Sequence, residues 1–197
     1  EGVVLEVDLD KEIVKKVLEL AEKHHTKLFA LVSNMSIAVK RRDFLQKFDC
    51  FICNQQEAGL LFLDDYSDKS PEEMQAILAD RVVRAKIPSM VVTMGDQGAV
   101  YADMNGVKGS CPAKNVQVKD TTGAGDAFCA GVSAGLTYGK TLAEAVEIGT
   151  MLAAAGGGVA MVHCGISGVF YIGGLFFLIM LPIAVQSVNF ALKVPVF

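Results

Sequence analysis

Short apolar, often β-branched runs alternate with segments of helical period as far as about residue 155, and this alternation is what most restricts the fold. Val3–Val7, Lys27–Val32, Cys50–Cys53 and Met90–Thr93 read as strands. Asp10–His25 reads as a helix, because Ile13, Val14, Val17, Leu18 and Leu20 recur at the 3.6 period. Its acids come early and His24 and His25 late, as the helix dipole favours. Ile37–Lys47 reads as a basic amphipathic helix and Gln56–Phe62 as a short one. Ser70, Pro71 and Glu73 open the next, with a capping box and a proline suited to the first turn, and it runs to about Lys86.

The second half continues the pattern. Ala99–Asp103 and Val107–Cys111 flank Asn105-Gly106, the preferred pair of a type I′ hairpin turn. Val116–Val118 is a further strand. Gly123–Tyr138 is a helix rich in small residues, and Thr141–Ala155 a last helix with Thr141 and Glu144 as its capping box. Such alternation predicts an α/β fold with a mainly parallel sheet covered on both faces and an antiparallel hairpin at one edge. In these sheets ligands bind beyond the carboxyl ends of the strands.

Composition excludes several classes of function. The net charge is −4, and no basic stretch carries interleaved aromatics, so nucleic acid is not an expected partner. Five cysteines, an odd number, argue against a disulfide framework and for a reducing, cytoplasmic location. The first residues, Glu1-Gly2-Val3-Val4, form no basic signal-peptide start and include no initiator Met, so the start reads as the interior of a longer protein.

The chemistry concentrates in Asp120-Thr121-Thr122-Gly123-Ala124-Gly125-Asp126, between a strand and a helix. Glycines let the backbone approach a ligand closely. A helix N-terminus offers unpaired N–H groups and a dipole that favour an anion. Gly123, Ala124 and Gly125 are therefore candidates to cradle a transferring phosphate, and Asp126 to accept the proton of an attacking hydroxyl. The plainer alternative is a Gly-rich turn whose acid partners the dipole. The full string, with its continuation Ala127-Phe128-Cys129-Ala130-Gly131, resembles the second signature of the ribokinase/PfkB family of carbohydrate and nucleoside kinases.

Two further motifs resemble that family in order. Asn54-Gln55-Gln56-Glu57 is similar to its NxxE motif, which implies Mg2+ and phosphates organised near Glu57, largely through water, with Asn54 beside it. An ordinary helix cap is the alternative reading of the same residues. Thr93, Gly95 and Gly98 lie in Thr93-Met94-Gly95-Asp96-Gln97-Gly98, which looks like the family's turn against the nucleotide phosphates. Thr121 joins the phosphate-side residues, and Val118 is a core residue with an implied adenine contact. The resemblance implies a ribokinase-like three-layer sandwich, truncated, with the lid and N-terminal part missing. It implies ATP and Mg2+ as cofactors, with K+ as an ion the family often binds, and a sugar or nucleoside as acceptor. Phe44–Gly59 and the main motif resemble pseudouridine kinase-like members. A homodimer and catalysis by this part alone are left open, as is a non-catalytic nucleotide-binding remnant.

Cys50 and Cys53 fall on opposite faces of a strand and read as core thiols rather than a metal clip. The kinase-like part is assigned to residues 1–155 and an apolar tail to 156–197. No Asp, Glu, Lys or Arg occurs from Ile148 to Leu192, and 166–188 is long and apolar enough to cross a bilayer. Three readings of the tail stand: a membrane anchor, a C-terminus altered by frameshift, and a buried helix of a larger core.

Overall fold

The computed structural model describes residues 1–7, 9–32, 39–40, 42–114 and 123–154. The chain divides into two compact units, Glu1–Pro112 and Ala113–Phe197.

The first unit is a six-stranded sheet in sequential order: β1 (Gly2–Glu6), β2 (Lys27–Leu31), β3 (Cys50–Asn54), β4 (Ser89–Thr93), β5 (Ala99–Asp103) and β6 (Lys108–Cys111). β1 to β4 are parallel, and β5 and β6 add on as antiparallel strands. The parallel crossovers all advance in one direction, so the right-handed rule sends their helices to the same face. These helices are α1 (Lys11–His24), the single turn α2 (Arg42–Leu45), α3 (Gln55–Phe62) and α4 (Pro71–Ala85).

The register gives that face its core. Leu5, Ala30, Phe51, Met90 and Ala102 form one row across five strands, all buried. Val14 and Leu18 of α1, Leu61 of α3, and Met74, Leu78 and Val82 of α4 join them in one cluster. On the other face Phe29, Cys50, Ile52 and Val91 are buried as well, as a sheet covered on both sides requires. Cys50 and Cys53 thus point to opposite faces, and both are free thiols. At the amino ends of the strands, Asp49 Oδ2 accepts from the Leu28 N–H at 2.7 Å and the Ser89 hydroxyl donates to the Asp49 carbonyl at 2.6 Å, pinning β2, β3 and β4 together.

Helix starts follow local capping chemistry. Asp10 accepts the Glu12 N–H, and Ser70 forms a reciprocal box with Glu73 behind Pro71. Three helices stop on non-glycine residues in the left-handed region: His25, Leu63 and Lys86.

The hairpin departs from the expected type I′ turn. Of Asn105 and Gly106 only Gly106 has positive φ, at 91°. The Asp103 carboxylate accepts the N–H groups of both Asn105 and Val107. That pulls the chain into a three-residue loop ending in a left-handed glycine, the usual alternative to the two-residue turn. Of the helix expected over Ile37–Lys47, residues 39–40 and 42–45 are helical, while 33–38 and 41 are outside the described residues.

In the second unit α5 (Ala124–Thr137) is followed by a helix over residues 142–154, α6. The turn between them carries Gly139 at φ 77°, and Thr141 and Glu144 cap α6 reciprocally. The two helices approach through glycines. A Cβ added at Gly131 would lie 2.6 Å from Gly149 Cα, and one at Gly149 would lie 2.8 Å from the Phe128 carbonyl oxygen. The expected strand Val116–Val118 and the tail 156–197, including 166–188, lie outside the described residues. Among the described residues no helix is long and apolar enough to cross a membrane.

Candidate functional site

In the first unit the expected residues gather at the carboxyl ends of β3 and β4, where Asn54 pairs with Thr93 in the parallel register. The strand ends and α3 begins without a connecting loop. Asn54 has extended backbone and its side-chain oxygen accepts the Glu57 N–H at 2.8 Å. Glu57 Oε2 accepts the Asn54 N–H at 2.7 Å. The box therefore holds the Glu57 carboxylate back over the end of β3, half-exposed. Its Oε1 has no protein partner among the described residues.

Cys53, the residue before Asn54, is buried. Burial, with the Glu57 charge and then Cys50 adding to it, pushes its thiol well above the ordinary value. Cys53 is thus held as a neutral core group, unsuited to nucleophilic work.

The Thr93–Gly98 segment folds on itself. The Met94 N–H donates to the Gly98 carbonyl at 2.8 Å, and the Gly98 N–H donates to Gly95 at 3.2 Å. Gly98, at φ 100° and ψ −131°, occupies a region closed to any residue with a Cβ. Gly95, at φ 61°, is exposed. The Thr93 hydroxyl reaches the Cys53 carbonyl at 3.5 Å, a long bond that ties the two strand ends.

In the second unit Gly123 caps α5 in the left-handed conformation, with φ 81° and ψ −4° and no side-chain capping bond. Its carbonyl accepts the Ala127 N–H at 2.9 Å, so the helix starts in full. The N–H groups of the first turn have no intrahelical acceptor by construction. Cβ atoms added at Gly123 or Gly125 would meet nothing within 4 Å. Asp126 is exposed, while Ala127, Phe128 and Cys129 behind it are buried. The helix thus turns its apolar side inward and leaves the aspartate outside. Burial pushes the Cys129 thiol up to about 12, which removes it as a competing nucleophile.

Asn54, Glu57, Thr93, Gly95 and Gly98 thus share one end of the sheet, and Gly123, Ala124, Gly125 and Asp126 form the start of α5 in the other unit. Thr121 and Val118 lie outside the described residues. Sequence reasoning passed over Gln55. Its amide donates to the carbonyls of Tyr66 and Lys69, the latter at 3.0 Å, and so fastens the loop after α3 beside the Glu57 turn. Its place inside the Asn54–Glu57 motif was the available signal.

These features define an α/β protein: a mainly parallel sheet with glycine-bearing turns at strand carboxyl ends in one unit, and a glycine-started helix in the other. Solved structures agree on the fold. Arabidopsis thaliana ribokinase complexed with ribose and ATP superposes with a TM-score of 0.66 at 22% identity, over 78% of this chain and 48% of that one. Cryptococcus neoformans ribokinase in complex with ADP gives 0.65 at 23% identity, over 78% and 53%.

Residues 1–156 match the pfkB family of carbohydrate kinases, and the chain belongs to that family. The guanosine-inosine kinase of Exiguobacterium acetylicum is 34% identical over 155 residues, 78% of this chain and 50% of that protein. The ribokinase of Schizosaccharomyces pombe is 25% identical over 144 residues, 73% and 45% respectively. The chain spans about half the length of these curated relatives.

Proposed function

We propose that this chain supplies the ATP-binding, phosphoryl-transferring part of a sugar or nucleoside kinase. The observation that carries the reading is the start of α5: an exposed aspartate in the first turn of a helix that begins Gly123-Ala124-Gly125, with open space at both glycines.

In the proposed reaction an acceptor hydroxyl oxygen forms a bond to the γ-phosphorus of ATP. The bond from that phosphorus to the bridging oxygen breaks, and ADP leaves with the electron pair. Asp126 takes the hydroxyl proton as attack proceeds. The N–H groups of Gly123, Ala124 and Gly125 donate to the phosphoryl oxygens, where charge accumulates. Thr93, Gly95 and Gly98 present backbone to the nucleotide phosphates, and Thr121 and Val118 are assigned to phosphate and adenine by their place in the motif.

Glu57 suits Mg2+ in one particular way. Among the described residues no group of three or more His, Cys, Asp or Glu could cage a metal. A single carboxylate with one oxygen uncommitted fits a cation that keeps most of its waters and takes phosphate oxygens as further ligands. Bound there through water, Mg2+ would neutralise phosphate charge. K+ is assigned no residue.

The acceptor class is tested with guanosine, inosine, adenosine, pseudouridine and ribose. Titration calorimetry with Mg-ATP measures binding, and coupled detection of ADP measures transfer. Asp126→Asn is expected to lower turnover by about 10²–10⁴-fold while ATP affinity holds. Loss of both together would mark Asp126 as structural. Binding without transfer by the wild-type chain would instead mark a non-catalytic nucleotide-binding part. Failure to bind Mg-ATP would sink both.

A further inference from the structure

The first three residues of α3 bury no apolar side chain. Gln55 and Glu57 are half-buried and Gln56 is exposed, and the buried residues of the helix begin only at Ala58. The side-chain bonds of the capping box run between Asn54 and Glu57 alone. Gln55 joins this turn to a segment beyond it. Its amide donates to the carbonyls of Tyr66 and Lys69, which engages both of its hydrogens.

Those carbonyls belong to a loop, residues 63–69, that is itself fixed. Tyr66 is buried in the core cluster, and its hydroxyl accepts from Arg81 Nε of α4 at 3.2 Å. Arg81 also donates to the Asp64 carboxylate at 3.0 Å. The Asp64 N–H donates to the Gly59 carbonyl at 3.0 Å, and a Cβ added at Gly59 would lie 2.7 Å from the Asp64 carbonyl oxygen, so the loop rests directly on α3. At its far end Ser70 caps α4. At about 100° per residue, Gln55 and Glu57 point about 200° apart. Gln55 therefore grips the loop on one side of the helix while Glu57 stands on the other, and any effect of Gln55 on that carboxylate passes through the backbone of the turn.

We propose that Gln55 is a positioning residue for Glu57. It braces the first turn of α3 against the fixed loop and so sets where the uncommitted Oε1 stands over the end of β3. The proposal rests on the reading of Glu57 as a partner of hydrated Mg2+. Residues that orient a metal's ligands typically matter about 10- to 100-fold in affinity, and with water between Glu57 and the ion the lower figure is expected.

The test measures ATP binding to the full chain by titration calorimetry across a Mg2+ series, with melting temperatures alongside. Gln55→Met keeps the length of the side chain and removes both donors. It should need about tenfold more Mg2+ for half-maximal binding. Glu57→Gln can still close the box but carries no charge, so it should also need more Mg2+, and adding Gln55→Met to it should change nothing further. Ser89→Ala, which cuts the tie to Asp49 at the opposite ends of the strands, should lower the melting temperature and leave the Mg2+ requirement alone. If Gln55→Met does not fold, Gln55→Asn, too short to reach both carbonyls, is read in the same way. A requirement that Glu57→Gln leaves unchanged, or no ATP binding by the wild type, would overturn the reading of Glu57 and the proposal with it. If Glu57→Gln raises the requirement but Gln55→Met does not, the proposal alone falls. It falls alone as well if Gln55→Met acts equally in both backgrounds, or if Ser89→Ala raises the requirement as much.

Discussion

Two glycines of α5 predict opposite outcomes for the same substitution. Gly125→Ala adds a methyl group where nothing lies within 4 Å, on an exposed turn of regular helix. Glycine is about 1 kcal/mol worse than alanine inside a helix, and less so in the first turn, so the gain should be about 0.5 kcal/mol. That raises the melting temperature by about 1–2 °C in a chain of this size. Gly131→Ala places its methyl 2.6 Å from Gly149 Cα and 2.9 Å from Gly149 N, both backbone atoms that cannot rotate away. Overpacking of this kind costs about 1–3 kcal/mol, so a net loss of up to about 2 kcal/mol remains after the helix-propensity gain. Thermal unfolding followed by circular dichroism reads both. Alanine keeps the backbone N–H, whereas Gly125→Pro, in the first turn of α5, removes it; if that N–H meets a phosphate oxygen, Gly125→Pro should lose a charged hydrogen bond worth about 1.5–3 kcal/mol, or roughly 10- to 100-fold in ATP affinity. Gly125→Pro binding Mg-ATP as well as the wild type would refute a phosphate contact at that N–H. A destabilised Gly125→Ala would refute the open geometry at the start of α5.

Three other outcomes follow from the same kind of reasoning. Leu63 ends α3 in the left-handed region at φ 56° with its side chain 79% exposed, so Leu63→Gly should stabilise the chain by about 1 kcal/mol in urea unfolding. Asn54→Ala removes the cap of α3 at a cost of about 1 kcal/mol, and Asn54→Asp, which can still accept the Glu57 N–H, should recover most of it. The Glu144 carboxyl is held below its ordinary value of 4.5, first by the Thr141 backbone N–H and then by the Thr141 hydroxyl. Its folded-state value lies below its unfolded one, so its contribution is complete above the ordinary value and disappears as pH falls through the depressed one. Acid titration of wild type and Glu144→Gln should show that part of the pH dependence absent in the variant.

Elements whose information is local in sequence were legible. The boxes at Ser70–Glu73 and Thr141–Glu144 form as their spacing foretells, because a cap needs only residues three apart. The parallel order of β1 to β4 and the added hairpin follow from the alternation of periods. The hairpin's turn type did not follow, because the dipeptide rule considers Asn105-Gly106 and ignores the carboxylate two residues earlier that captures two N–H groups. The tie from Ser89 to Asp49 spans forty residues and leaves no local pattern. The Gly131–Gly149 approach showed only as small-residue richness, since composition announces a close contact without naming the partner. Of the candidate site, Asn54, Glu57, Thr93, Gly95 and Gly98 were legible as one strand-end group, whereas the Gln55 clamp was not, because its acceptors are backbone carbonyls that any sequence supplies.

The geometry makes a helix cap and a metal contact compatible at Asn54 and Glu57. A carboxylate has two oxygens. The cap uses Oε2 and leaves Oε1 without a protein partner among the described residues. Ordering a free glutamate side chain costs up to about 2 kcal/mol of rotamer entropy, and the cap meets that cost during folding. On the role proposed for Glu57, a hydrated cation would find the carboxylate already held over the end of β3, and the cap would serve as pre-organisation for the ion. The two roles separate experimentally. If the cap only stabilises the helix, Asn54→Ala should lower the melting temperature and leave the Mg2+ dependence of nucleotide binding as it was. If the cap also holds the ion's carboxylate, the same variant should need more Mg2+ for half-maximal nucleotide binding, and Asn54→Asp should restore both properties together.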